Sequence, residues 1–434
     1  MQNVKNKSFG KFIIVWIGQL VSSIGSGLTA FSLGVYAYQQ TQTATSFALI
    51  TLCSFLPSIL LRPVGGVLVD RFDRRAMMIL GDLGSASGLV FILGMMLAGN
   101  PELWHIYLGV TVTSVFVALQ SPAYKASVTD LLTEDQFSKA SGLVQLASSA
   151  QHLFSPVIAG VLMSVTGIGI VLLINISTFI VAILAVLFIR RDMQTEHGKS
   201  GNKNFWGDLN DGWHAITDHK GVLYLIIVIS VVTFYIGFLQ TLLGPMILSF
   251  SDARTFGTVQ SVSAVGMLLS SLLLGIFTIT GRYSRMLSIG LVFAGVSFSL
   301  MGLTTSVYFI TVAGFMFFCA LPLVNTSADV LVRKNIENGK QGRVWGIIGV
   351  LSQLGFVVAY AIAGPLADHV FNPLLAGDGI LASPVGRVIG TGAGRGIGFL
   401  FLISGILVVC MGIITTGIKS IQQLDHKSSE THLK

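Results

Sequence analysis

Arg62, Asp82 and His152 are ionisable side chains within long apolar runs of the sequence. Burial of a charge in hydrocarbon is costly, so an ionisable residue in such a run is a candidate functional residue. Arg62 and Asp82 would lie at similar depths on neighbouring antiparallel helices, which predicts a buried ion pair. A paired Asp82 would serve structure, whereas an Asp82 without a cationic partner would carry a proton.

His152 lies near the middle of another apolar run, next to Gln151. An imidazole changes charge near physiological pH, so His152 would either carry a proton or donate a hydrogen bond to a bound molecule. The alternative is a buried histidine with satisfied hydrogen bonds and no functional role. The sequence leaves both interpretations open.

The elements that position these residues are apolar helices. The chain has 434 residues, of which 53% are hydrophobic and 10% are charged. A soluble globular domain has about 25% charged residues, so this composition excludes a soluble enzyme. About 20 apolar residues cross the hydrocarbon core of a bilayer as a helix. The predicted fold class is therefore an all-α polytopic membrane protein.

Apolar runs between charge clusters predict twelve transmembrane helices in two pseudo-symmetric six-helix bundles. The predicted spans are 12–38, 45–68, 76–98, 104–124, 140–165, 168–189, 221–248, 256–280, 286–304, 306–328, 344–370 and 396–417. We predict an N-terminal bundle at 1–189, a cytoplasmic linker at 190–220, a C-terminal bundle at 221–417 and a cytoplasmic tail at 418–434. Within the linker, segment 204–219 is either an amphipathic helix on the inner leaflet or an ordered linker without lipid contact.

Basic residues give the orientation of the predicted helices. With both termini in the cytoplasm, 22 of the 26 Lys and Arg residues lie on the cytoplasmic side and three lie outside. This bias is the expected pattern of a multi-pass protein of the cytoplasmic membrane. The lipid bilayer, rather than nucleic acid, therefore explains the net charge of +7.

Two features repeat between the halves of the chain. Pro156 and Pro365 are 209 residues apart, and so are Gly66 and Gly275. Proline removes a helical hydrogen bond, so we expect helix bends at both prolines. An internal repeat of a six-helix unit is typical of a two-bundle transporter with alternating access.

The ten residues from Gly66 to Arg75 match the pattern G-x-L-x-D-R-x-x-R-R at every specified position. This segment resembles the loop 2–3 motif of the major facilitator superfamily, and the closest likeness is to bacterial drug exporters, including macrolide exporters. In that family the motif holds the two halves together when the cavity faces outward. The resemblance implies this latch role for Gly66, Asp70 and Arg74, whereas Arg71 and Arg75 either share it or only enforce topology.

The resemblance extends over most of the chain, with two departures. It includes Leu56-Pro57, Asp82, Ser121-Pro122-Ala123, Gly342-Arg343-Val344 and Gly394-Arg395-Gly396-Ile397-Gly398. The exporter signature G-P-x-x-G-G is partial, because Ser155 replaces the glycine before Pro156. The arginine that many proton-coupled exporters carry in the fourth helix is missing between Tyr107 and Gln120. Proton coupling would therefore use other residues.

Uncharged side chains dominate the helices that would surround a central cavity. The candidate substrate-binding residues are Gln19, Phe116, Gln120, Gln145, Gln151, Phe234, Tyr235, Gln240 and Gln353. An apolar, aromatic pocket with a few amides suits large lipophilic or amphipathic molecules. The alternative for each residue is ordinary helix packing or a lipid-facing position.

The resemblance implies a secondary transporter that exports lipophilic or amphipathic drugs by proton antiport and works as a monomer. The alternatives are a dedicated exporter of one metabolite, such as a siderophore, and a non-transporting membrane sensor or scaffold. The sequence contains no phosphate-binding loop, no H-E-x-x-H and no G-x-S-x-G. Its three cysteines all lie in apolar segments. We therefore expect neither catalysis nor a cofactor nor a metal site.

Overall fold

A computed structural model describes residues 8–99, 101–133, 136–189, 216–217, 220–276, 282–336 and 338–426. Every regular element in these residues is helical, which confirms the all-α prediction. Eleven helices are long and apolar enough to cross a membrane, and one bent pair of helices makes a twelfth span. The proposed amphipathic segment 204–219 lies outside the described residues, apart from Ile216 and Thr217.

The first seven helices form six spans. They are α1 (Phe9–Thr41), α2 (Ala44–Leu60), α3 (Arg62–Arg71), α4 (Arg74–Leu97), α5 (Leu103–Leu131), α6 (Phe137–Val165) and α7 (Ile168–Phe188). Helices α2 and α3 are the bent pair, with an angle of 46° between them. The sequence predicted one continuous helix here, at 45–68.

Two prolines and an inserted side chain account for the bend. Pro57 lies within α2, where its missing N–H removes a helical hydrogen bond. Pro63 stands in the first turn of α3, where its missing N–H and fixed φ are tolerated. One turn before the bend, the hydroxyl of Ser114 accepts from the N–H of Ser58 at 3.1 Å and donates to the carbonyl of Ser54 at 2.7 Å. A side chain inserted in this way replaces a helical hydrogen bond, and such insertions kink helices.

Small residues allow the helices of the first half to pack closely. A Cβ atom at Gly25 of α1 would lie 2.3 Å from the Thr178 hydroxyl of α7. A Cβ atom at Gly88 of α4 would lie 2.4 Å from the carbonyl of Gly109 in α5. Helix association in lipid relies on such close packing, because the solvent itself is apolar. These contacts fix α1 against α7 and α4 against α5.

The second half supplies the other six spans and a terminal helix. They are α8 (Lys220–Leu248), α9 (Ala253–Ile276), α10 (Tyr283–Gly302), α11 (Val307–Asn335), α12 (Asn338–Leu366), α13 (Arg395–Gly417) and α14 (Lys419–His426). A π-helical turn, Ala367–Phe371, follows α12 directly.

The terminal helix α14 is amphipathic and packs against its own bundle. Its Ile421 and Leu424 are buried. The Asn335 side chain of α11 donates to the Leu424 carbonyl at 3.0 Å. Residues 419–426, which the sequence assigned to a cytoplasmic tail, therefore belong to the packed structure.

The chain divides into two compact units. The first comprises Met1–Lys199 with Asp252–Ser261, and the second comprises Ser200–Ser251 with Val262–Lys434. The first turns of α9 thus pack with the first unit, where the rings of Phe256 and Phe31 stack with centroids 4.7 Å apart. A Cβ atom at Gly257 would lie only 2.1 Å from the Pro156 carbonyl, so this contact requires glycine.

Candidate functional site

Asp82 of α4 is a deeply buried carboxyl in the first unit. Its side chain is 1% exposed, and its Oδ2 atom has no hydrogen-bond partner among the described residues. The carboxyl lies beside the side-chain amide of Gln19 in α1. An unpartnered buried carboxylate is costly, so this position favours a role beyond packing.

Two glutamines from different helices surround this carboxyl. Nε2 of Gln120 in α5 donates to Oε1 of Gln19 at 2.5 Å. With Oε1 engaged, the buried Nε2 of Gln19 is left available to Asp82. Two residues proposed for the substrate cavity are therefore joined to the proposed coupling residue in one polar cluster, which we call the Asp82 cluster: Gln19, Asp82 and Gln120.

Glycines of α4 bring the cluster together. A Cβ atom at Gly81 would lie 2.6 Å from the Cβ of Gln120, and one at Gly84 would lie 2.2 Å from the ring of Phe116. The absence of side chains at these positions lets α5 approach α4 closely enough to place Gln120 near Asp82. Phe116, another proposed cavity residue, is half-buried against this interface.

The predicted ion pair between Arg62 and Asp82 is wrong. Arg62 begins α3 at the bend that follows Leu60, and its side chain is exposed. Among the described residues, the salt bridge in the structure joins Arg74 to Asp130 instead. The bend interrupts the helix that the sequence treated as continuous, so the depth inferred for Arg62 does not bring it to Asp82.

His152 lies on α6 with an exposed side chain, and both interpretations of this residue stay predictions. One turn away on the same helix, the Ser155 hydroxyl donates to the Ile24 carbonyl of α1 at 3.0 Å. Gln151 packs against Gly27 of α1. His152 is therefore available to solvent or to a ligand, and its role stays a prediction.

The proposed cavity residues of the second unit form two local groups. Phe234 and Tyr235 of α8 contact each other edge to face, with centroids 5.2 Å apart. The Tyr360 hydroxyl of α12 donates to Oε1 of Gln240 at 2.5 Å. Gln353 has a buried Oε1 without a partner among the described residues.

The other predicted cavity and bend residues are separate from these groups. Gln145 is exposed on α6. Pro156 is buried within α6, and Pro365 is exposed next to the end of α12. The helix bends predicted at these two prolines stay predictions.

The motif from Gly66 to Arg75 is held mainly by its last two arginines. Arg74 donates to Oδ1 of Asp130 at 2.5 Å and to the Ala126 carbonyl at 3.1 Å, both in α5. Arg75 donates to the Val186 carbonyl of α7 at 3.1 Å. Arg75 therefore has a structural contact beyond topology.

Asp70, Arg71, Gly66 and Asp73 are the other polar or small residues of this motif. Asp70 and Arg71 are exposed. A Cβ atom at Gly66 would meet nothing within 4 Å, so the contact that would require glycine there is not formed among the described residues. Asp73, between α3 and α4, accepts from the N–H groups of Arg75 at 2.7 Å and Ala76 at 3.1 Å. It is the N-cap of α4.

Sequence reasoning missed three functional or structural partners: Asp130 for Arg74, Tyr360 for Gln240, and Gln19 for Asp82. Each lies in a different helix from its partner, so no local pattern connects the two. In the described ranges, no group of three His, Cys, Asp or Glu residues is placed to hold a metal ion.

Comparison with known proteins decides the family. The sequence profile of the Major Facilitator Superfamily matches residues 15–360. The chain belongs to the major facilitator superfamily. It is similar to macrolide efflux protein A of Streptococcus pyogenes, at 26% identity over 96% of this chain and 98% of that protein. It is also similar to the uncharacterized MFS-type transporter YfiS of Bacillus subtilis, at 27% identity over 92% of this chain and 90% of that protein.

Solved structures of transporters share the fold. A mutant form of the nucleoside transporter NupG covers 93% of this chain and 99% of its own, with a TM-score of 0.73 and 11% identity. At this identity the likeness concerns the fold alone. The protein is thus a multi-pass membrane transporter of the superfamily.

Proposed function

We propose that this transporter exports lipophilic or amphipathic compounds across the bacterial cytoplasmic membrane by proton antiport and alternating access. The observation that carries the proposal is the Asp82 carboxyl, which is 1% exposed with an unpartnered Oδ2 atom. A proton neutralises such a group without requiring another side chain. The neutral amide of Gln19 lies beside it, and this amide in turn accepts a hydrogen bond from Gln120.

The Asp82 cluster supports coupling between a proton and a substrate. Gln120 donates a hydrogen bond to Gln19, and Gln19 lies next to the Asp82 carboxyl. A molecule that forms a hydrogen bond with either amide therefore changes the surroundings of Asp82. A ligand changes a conformational equilibrium only through such differential contacts. We infer that substrate and proton compete through these two amides.

The chemical class of the substrate follows from the candidate cavity residues. They are amides and aromatic rings without a charged group, and Phe116, Phe234 and Tyr235 supply apolar area. Area burial then provides affinity, while the few amides restrict orientation. Macrolide efflux protein A, at 26% identity, is named for the efflux of macrolides.

The orientation and the latch belong to the same proposal. The bias of basic residues supports a cytoplasmic location for both termini and for the motif residues Gly66, Asp70, Arg71, Arg74 and Arg75. Asp70 and Arg71 are exposed and available to hold the halves together in one state of the cycle. Asp70→Asn should therefore abolish export while leaving the protein in the membrane, whereas a scaffold would tolerate this change.

The experiment is drug accumulation in a pump-deficient bacterium that expresses the protein, with a panel of macrolides, dyes and tetracyclines. We expect lower accumulation of several compounds, and we expect an uncoupler to restore it. Asp82→Asn should abolish this export, whereas Asp378→Asn, at an exposed loop carboxylate, should not. Export that survives both the uncoupler and Asp82→Asn would refute proton antiport through Asp82. An abundant membrane protein that exports none of the panel would refute the drug proposal.

A further inference from the structure

A basic cavity lies at the start of α10 in the second unit. It has a volume of about 300 Å³ and lies between the first turn of α10, the end of α13 and the terminal helix α14. The lining residues are Arg282, Ser284, Arg285, Thr415, Thr416, Gln422 and Asp425. Arg282 and Arg285 are cationic and their guanidinium groups only donate hydrogen bonds, so the cavity suits an anion.

The one carboxylate in the lining is already engaged. Asp425 accepts from the N–H groups of Tyr283 at 3.0 Å and Ser284 at 3.2 Å, and also from the Ser284 hydroxyl. Arg282 and Arg285 are exposed, and neither guanidinium has a salt bridge or side-chain hydrogen bond to another described residue. Both guanidinium groups are therefore available to a ligand that enters the cavity.

Exposed apolar residues lead away from this cavity along both helices. On α10, Ile289, Phe293 and Val296 follow Arg285 at helical spacing and are 54%, 43% and 45% exposed. On α13, Ile413 precedes Thr416 by three residues and is 58% exposed. A charged cavity that continues into apolar surface matches a molecule with an anionic head and hydrocarbon tails.

We propose that this cavity binds the phosphate of an anionic phospholipid from the inner leaflet, with the acyl chains lying along α10 and α13. Arginine recognises phosphate oxygens with paired N–H donors, so Arg282 and Arg285 are the residues that would hold the phosphate. Free phosphate shares the head-group chemistry but makes no use of the apolar surface. The inference rests on the proposed orientation, which places the start of α10 at the cytoplasmic face.

Lipid binding to the purified full-length protein tests this proposal without any transport assay, so failed export does not affect the result. Native mass spectrometry with dioleoyl phosphatidylglycerol should show binding that is stronger than binding of dioleoyl phosphatidylcholine. A basic residue near an anionic lipid surface contributes a factor of about five in affinity. Arg282→Gln and Arg285→Gln should each weaken phosphatidylglycerol binding by about that factor, and Lys419→Gln, an exposed position outside the cavity lining, should not.

Two further measurements distinguish a phospholipid from free phosphate as the ligand. Inorganic phosphate at the same concentration should not displace phosphatidylglycerol, and Ile413→Ser should weaken the lipid but not the soluble head group glycerophosphoglycerol. Equal displacement by inorganic phosphate would overturn the lipid assignment. The proposed binding site would be wrong if the unmodified protein bound both lipids equally. It would also be wrong if a variant with both Arg282→Gln and Arg285→Gln bound phosphatidylglycerol as strongly as the unmodified protein.

Discussion

The guanidinium of Arg74 donates to Oδ1 of Asp130 at 2.5 Å, which joins the loop motif after α3 to the end of α5. Both side chains are about one fifth exposed, at 21% and 19%. A hydrogen bond that involves charged groups contributes about 1.5–3 kcal/mol, and solvent screening places this pair toward the lower limit. The motif therefore has a stabilising role within its own unit.

Arg74→Ala and Asp130→Ala should each lower the free energy of unfolding by about 1–2 kcal/mol, because each leaves a partly buried charge without its partner. The double variant should lose less than the sum of the two. Thermal unfolding in detergent measures this, with Lys125→Gln at an exposed site of α5 as the control. Additive losses would show that the pair is not coupled.

Gly84→Ala should destabilise the protein by about 1–3 kcal/mol, because overpacking forces neighbouring groups to move. The new Cβ would lie 2.2 Å from Cγ of Phe116, an atom that cannot move without the whole ring. Gly94→Ala in the same helix is the matched control, since a Cβ there meets nothing within 4 Å. That variant should be neutral or slightly more stable. Equal unfolding temperatures for the two variants would contradict tight packing of α4 on α5.

Asp252 should give an acid-dependent contribution to stability. The N–H of Thr255 donates to Oδ1 of Asp252 at 2.8 Å, and this hydrogen bond lowers the pKa of the Asp252 carboxyl. Because the folded pKa is below the unfolded pKa, the contribution is complete at neutral pH and disappears as pH falls below about 4. Asp252→Ala should cost about 1 kcal/mol at pH 7, the usual effect of losing a helix N-cap, and much less in strong acid.

The comparison for Asp252 is Asp378→Asn, which alters another exposed carboxylate. Its unfolding temperature should follow that of the unmodified protein across the pH range. A loss for Asp252→Ala that does not depend on pH would contradict a role for the ionised carboxylate.

Asp425→Ala should loosen the terminal helix. Asp425 accepts from two N–H groups in the first turn of α10, where such groups lack helical partners. Limited proteolysis should then cleave at 419–426 faster than in the unmodified protein, while Gln423→Ala, at an exposed position of α14, leaves the rate unchanged. Unchanged cleavage in Asp425→Ala would show that burial of Ile421 and Leu424 alone retains α14.

The two halves meet the same requirement for a helix N-cap in different ways. In the first half Asp73 immediately precedes α4 and caps it. In the second half Arg282 holds the corresponding position before α10 and makes no side-chain cap, so Asp425 supplies the acceptor from a distant part of the chain. The first acceptor adjoins its helix in the sequence, whereas a separation of 142 residues conceals the second.

The sequence by itself determined the fold class, the number of spans and the family. Each depends on local properties, because apolar runs of membrane length and the motif from Gly66 to Arg75 are contiguous in the chain. The predicted span 168–189 corresponds to α7 at Ile168–Phe188. Length and composition suffice to predict such a helix, because the bilayer requires a span of this length and apolar composition.

Only the tertiary structure decided which side chains meet. The prediction that Arg62 lies beside Asp82 assumed straight helices. The 46° bend between α2 and α3 makes that estimate of depth invalid. Close packing at Gly81 brings Gln120 toward Asp82 from α5, and α1 supplies Gln19. Helix bends and glycines at helix contacts determine which side chains become partners. Both effects depend on packing across the whole bundle and not on a local sequence pattern.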